Sequence, residues 1–99
     1  MKRNRKAKIL ATLGPASSSN DIIENIFKSG CDVFRLNFSH GSFETHRQNI
    51  EIIRSLEEKY DHASCILADL QGPKLRVGQF QNTEEVLKKG QKFILDTNL

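Results

Sequence analysis

The chain is short of several things. In 99 residues it has no Trp, one Tyr, one Met, two Pro and two Cys. Cys31 and Cys65 each open a strand-like run, and no Cys-x-x-Cys or Cys/His ligand spacing surrounds them. That excludes a zinc site and a thiol redox motif, and both cysteines are expected to be small, buried and reduced. No long apolar run exists. Ile9-Leu10-Ala11-Thr12-Leu13 is stopped at once by Gly14-Pro15, too short for the apolar core of a secretion signal and far too short to span a membrane. A cytoplasmic protein with no membrane partner is expected. A P-loop, a Rossmann glycine pattern and a nucleophile elbow are all missing, as are internal repeats and low-complexity segments.

The charge is mildly one-sided. Fifteen Lys and Arg against twelve Asp and Glu leave a net charge of +3. Much of the excess lies in Met1-Lys2-Arg3-Asn4-Arg5-Lys6-Ala7-Lys8, which reads as a solvated end. A nucleic-acid surface would interleave basic residues with exposed aromatics, whereas the Phe residues here fall mostly at core-facing positions. No nucleic-acid partner is expected.

What is present alternates strand and helix. Lys8 to Leu13 is a short apolar strand. Ser17-Ser18-Ser19-Asn20-Asp21 offers N-cap candidates, and Ile22, Ile23, Ile26 and Phe27 recur at helical spacing until Gly30. Val33 to Phe38 is a second strand. Ser42 caps a helix of about four turns carrying Phe43, Ile50, Ile53, Leu56 and Tyr60 on one face. Ser64 to Leu70 is a third strand. Apolar strands separated by helices predict parallel βαβ units, buried on both faces.

The pattern changes after Gly72-Pro73. Arg76 to Phe80 and Glu85 to Leu95 read as short strands joined by polar turns, with a tight turn at Lys89-Gly90. A β-rich domain is therefore expected to begin near Leu75, dividing the chain into 1–74 and 75–99. Three parallel strands with two helices leave open edges, and a complete (β/α)₈ barrel takes roughly 250 residues. The expectation is an incomplete fold, the beginning of a larger protein.

In parallel α/β folds ligands bind beyond the C-terminal ends of the strands. The polar residues collect there: Thr12 and Gly14, then Asn37, Ser39 and His40, then Asp69, Gln71 and Lys74, with Arg76 beyond. Arg35 and Asn37 are two apart and share a strand face. The guanidinium fork suits an oxyanion, and Asn37, Ser39 and Asp69 offer hard oxygens that suit a cation. The rim has the make-up of a phosphate site with a metal nearby. Each residue also has a plainer reading: Arg35 as an ion-pair partner of Asp69, Ser39 and Ser42 as helix caps, His40 as a satisfied polar residue.

Three segments together are more specific than any of these residues. KILATLGPAS (Lys8 to Ser17), RLNFSHG (Arg35 to Gly41) and LADLQGPKLRVG (Leu67 to Gly78) resemble pyruvate kinase, in that family's order and approximate spacing, and the resemblance runs from Lys8 to about Thr97. It implies a (β/α)₈ TIM barrel interrupted after its third strand by a β-rich cap domain. It implies phosphoryl transfer from phosphoenolpyruvate to ADP, giving pyruvate and ATP, by a homotetrameric parent enzyme that uses Mg2+ and usually K+. By residue match, Arg35 would contact the transferred phosphate, and Asn37, Phe38, Ser39 and His40 would border the nucleotide. Arg76 would hold nucleotide phosphates. Asn37, Ser39, Asp69 and a backbone oxygen of Leu70 would be potassium ligands. The family often has Thr-Lys after the aspartate and Glu after Gly-Pro, where this chain has Leu70, Gln71 and Lys74; Lys74 is expected to replace the potassium ion. The family's catalytic lysine and magnesium carboxylates would lie beyond Leu99. The alternatives are another phosphate-handling barrel enzyme and a noncatalytic basic binding module.

Overall fold

A computed structural model describes residues 4–97, so Met1, Lys2 and Arg3 of the basic stretch, with Asn98 and Leu99, lie outside the described residues. The elements run β1 (Leu10–Leu13), a single 3-10 turn (Pro15–Ser17), α1 (Asn20–Lys28), β2 (Val33–Asn37), α2 (Phe43–Tyr60) and β3 (Cys65–Asp69). The strands are parallel in the order β1-β2-β3. Each is a residue or more shorter than expected.

Local chemistry sets the helix ends. The Ser42 hydroxyl accepts from the Thr45 amide at 3.2 Å and caps α2, as its position predicts. α1 starts after Ser19 without a side-chain cap, and Asp21 in its first turn complements the helix dipole. Gly30 follows the end of α1 at φ +108°, a conformation that suits glycine, and its carbonyl accepts from the Arg5 guanidinium. Arg5 also reaches the Asp32 carboxylate at 2.7 Å, and that carboxylate accepts from the Ile9 amide at 2.8 Å. This clasp ties the chain before β1 to the start of β2.

Both helices cover the same face of the sheet. Leu13, Phe34 and Leu36 project from the strands against Ile23 and Phe27 of α1 and against Ile53 and Leu56 of α2. The Phe27 ring stacks on Phe34 and Tyr60 at centroid separations of 6.3 and 5.7 Å. Glu24 joins the helices on the outside, accepting from Lys59 at 2.8 Å and from the Tyr60 hydroxyl. The Lys59 hydrogen bond, then the Tyr60 one, holds the Glu24 carboxyl below its ordinary range. Its contribution to stability is therefore present at neutral pH and lost as pH falls through the lowered value.

The opposite face is uncovered, which corrects the expectation of strands buried on both sides. Leu10 and Leu67 are exposed there, and so is Cys65, against the expectation that both cysteines are buried; Cys31, beneath α1, does follow it. Phe43 is also corrected. It lies at the first position of α2 and is 82% exposed. The buried stripe of α2 is His46, Asn49, Ile53 and Leu56.

No strand or helix occurs among the described residues after Asp69. The expected strands at Arg76 to Phe80 and Glu85 to Leu95 find no partner, because a strand is made by cross-strand hydrogen bonds and nothing here supplies them. The turns do form. Thr83 bonds back to Phe80 at 3.0 Å and Gln91 to Lys88 at 3.0 Å, with Gly90 at φ +85°.

Candidate functional site

The parallel register decides which side chains meet. Thr12, Arg35 and Leu67 form one row across the sheet, and Asn37 faces Asp69 in the row beyond. Side chains two apart share a face, so Arg35, Asn37, Thr12 and Asp69 all project from the uncovered side, at its C-terminal end. The Arg35 guanidinium donates to the Asp69 carboxylate and reaches the Thr12 hydroxyl at 3.3 Å. The plainer reading of Arg35 as a partner of Asp69 is thus realised. A guanidinium has five N–H donors, however, so two contacts fix its plane and leave donors for an oxyanion.

Beyond Asn37 the backbone turns. The Asn37 side-chain oxygen accepts from the Ser39 amide at 3.1 Å, and the His40 amide bonds to the Asn37 carbonyl at 3.1 Å. The segment after β3 is tied alongside: the Gln71 amide donates to the Phe38 carbonyl at 2.9 Å. Between them lies a cleft of about 470 Å³ lined by Ser39, His40, Gln71, Gly72, Lys74 and Arg76. Two cations, an imidazole and a hydroxyl face one space.

A second cavity of about 730 Å³ opens on the other side of His40. Thr12, Gly14 and Pro15 from the first strand and turn, Asn37, and Thr45, His46 and Asn49 of α2 line it. His46 and Asn49 are 8% and 4% exposed, and neither was anticipated as a site residue. The signal was the helical period itself. Extended toward the start of the helix, the stripe Leu56, Ile53 runs on through Asn49 and His46, where apolar packing gives way to the cavity.

The anticipated residues fall into two groups. Arg35, Asn37 and Asp69 meet on the sheet face, while Ser39, His40, Lys74 and Arg76 meet in the cleft. Phe38 is half-buried and stacks on the His46 ring at 4.4 Å. The Leu70 side chain is 71% exposed and lines neither cavity. Lys74 faces the cleft beside Arg76, and the ion-pair partner of Asp69 is Arg35. Among the described residues no group of three or more His, Cys, Asp and Glu could hold a metal ion. The arrangement can bind and orient anionic oxygens. It offers no carboxylate cluster for a divalent ion.

Parallel strands alternating with helices, with an arginine on the rim at the strand ends, place the chain in the α/β class. Residues 4–99 match the family described as pyruvate kinase, barrel domain, and the chain belongs to that family. It is similar to pyruvate kinase of Methylorubrum extorquens, 50% identical over 98 residues that cover 99% of this chain and 20% of that protein. It is 44% identical over 94 residues to pyruvate kinase of Thermococcus litoralis, covering 95% of this chain and 20% of that protein. Against pyruvate kinase II of Salmonella typhimurium the identity is 43% over 98 residues, again 20% of the relative. The chain thus spans about a fifth of the length of the curated relatives it matches. No helix among the described residues is long and apolar enough to cross a membrane.

Proposed function

We propose that this chain supplies the first three β/α units of a pyruvate kinase, which transfers a phosphoryl group from phosphoenolpyruvate to ADP. The observation that carries the reading is the Arg35 guanidinium, oriented by Asp69 and Thr12 on the uncovered sheet face at the strand ends. Arg35 binds the phosphate in transit. Arg76 holds the nucleotide phosphates in the cleft it lines, and Asn37, Phe38, Ser39 and His40 border the nucleotide. Phosphoryl transfer needs mostly positioning and charge stabilisation, and this rim supplies both in part. The parent's homotetrameric state and cytoplasmic location are carried over with the family.

Residues 1–74 form the barrel part, and 75–99 begin the β-rich cap. Sequential strand order with both helices on one face favours a closing barrel over a doubly wound sheet. The uncovered face then becomes the barrel interior, and the segment after Asp69, which forms no strand among the described residues, finds its strands in the rest of the cap. Magnesium, which would neutralise phosphate charge when bound, does not fit among the described residues; its ligands belong to the remainder of the enzyme.

Potassium fits by oxygen chemistry but not by charge. Asn37 and Asp69 are register partners, and Ser39 and the Leu70 carbonyl follow them. Arg35 already neutralises Asp69, and Lys74 and Arg76 add positive charge to the rim. A further monovalent cation is redundant there. A chimera tests both points: these residues replace the matching fifth of the Methylorubrum extorquens enzyme. ATP formation from phosphoenolpyruvate and ADP is expected, with less than about twofold stimulation by potassium, since Lys74 already carries the charge. Lys74→Glu is expected to make the rate potassium-dependent. A folded chimera with no turnover contradicts the function. Strong stimulation of the parent chimera, or an unchanged response in Lys74→Glu, contradicts the role of Lys74.

A further inference from the structure

His46 is a histidine in an unusual setting. It sits in the first turn of α2 and is 8% exposed. Its ring stacks on Phe38 with 4.4 Å between centroids and 27° between planes. Its Nε2 is 2.8 Å from the His40 carbonyl oxygen. A carbonyl only accepts, so Nε2 carries the proton. In the neutral ring Nδ1 is then a bare acceptor, and it is buried with no hydrogen-bond partner among the described residues. Burying an unpaired ring nitrogen is unfavourable. A phenyl ring would fill the space against Phe38 without that cost. What the imidazole alone adds is the N–H to the His40 carbonyl.

That bond spans the turn that carries the site. Asn37, Ser39 and His40 precede it, and Gly41 closes it at φ +76°. A Cβ at Gly41 would stand 3.3 Å from His46 Nε2, so the imidazole lies hard against the turn and leaves glycine as the residue that fits. The helix start is fixed independently: the His46 amide bonds to the Ser42 carbonyl at 3.1 Å. His46 is thus anchored by its own backbone and by Phe38, and its one free donor pins the carbonyl of a residue that lines both cavities.

The geometry points to His46 as a positioning residue that sets the Ser39–His40–Gly41 turn for nucleotide binding, acting through the His40 carbonyl and touching neither substrate phosphate. This rests on the pyruvate kinase reading of the site. The Arg35 contact is held separately by Asp69 and Thr12, so the effect falls on the nucleotide and spares phosphoenolpyruvate.

Three variants of the chimera test it. His46→Phe keeps the ring and removes the donor, His46→Gln keeps a donor of sufficient reach, and His46→Asn has the donor but is one methylene shorter. His46→Phe and His46→Asn are expected to raise KM for ADP about tenfold, the equivalent of one lost hydrogen bond, with KM for phosphoenolpyruvate unchanged. His46→Gln is expected to stay within about threefold of the parent, because the bond to His40 is remade. An unchanged KM for ADP in His46→Asn overturns the inference, as do equal rises in both KM values. If His46→Phe does not fold, the comparison of Gln with Asn decides. If the parent chimera has no turnover, the function assignment fails instead. Crystal structures of the Gln and Asn variants then decide this inference: a moved turn in Asn alone supports it, and an unmoved turn in Asn overturns it.

Discussion

The 99-residue chain by itself is expected to form no ATP from phosphoenolpyruvate and ADP above a no-protein control. It carries an oriented guanidinium and a cationic cleft, the groups proposed to hold phosphate. It lacks the group that neutralises most charge in such a transfer, because no described cluster of acidic side chains can take a divalent ion. The sheet face that bears Arg35 is also open to water. Charge contacts in water are worth a small fraction of their value in a closed, dry site. Leu10 and Leu67 are exposed on the same face. A coupled assay on protein purified free of host pyruvate kinase checks this. Turnover that tracks the 99-residue chain through successive columns would refute it.

Arg35→Lys in the chimera is expected to lower kcat/KM for phosphoenolpyruvate by at least about tenfold, or ~1.4 kcal/mol of transition-state stabilisation. Lysine keeps the charge but is a point donor. It cannot span Asp69 and Thr12 while directing further N–H groups at a phosphate, as the guanidinium plane does. If Arg35 were only the structural partner of Asp69, the same change would lower thermal stability and leave the folded enzyme near parental activity. Steady-state kinetics beside a melting curve separate the two. Part of the Arg35–Asp69 pair is exposed, 29% and 46% for the two side chains, so its own contribution to stability is modest.

The elements that the sequence made legible are those governed by local rules. Ser42 caps α2, Gly30 ends α1, and the three apolar runs become parallel strands, because capping, left-handed glycine and period carry their own chemistry. The convergence of Arg35, Asn37 and Asp69 followed from strand-end placement and register parity. Errors arose where tertiary context decides. An apolar strand predicts a buried Cys65, yet only one sheet face is covered here. Phe43 matches the helical period, but at the first position of α2 it is left exposed. The strands expected after Leu75 need partners that the described residues do not contain. The apolar stripe of α2 read from the sequence, Phe43, Ile50, Ile53, Leu56 and Tyr60, leaves out His46 and Asn49 because both are polar. In the fold they are the point where the helix stops packing and begins to line the site.

The proposed strand-end rim binds the two phosphates of a phosphoryl transfer, one on Arg35 and the other on Arg76. The most direct measurement is a crystal structure of the chimera with phosphoenolpyruvate and ADP bound. The Arg35 guanidinium is expected to donate to the substrate phosphate at about 3 Å, with its Asp69 contact kept. The ADP phosphates are expected in the cleft lined by Arg76. Both phosphates bound elsewhere, with Arg35 contacting only Asp69 and Thr12, would contradict it.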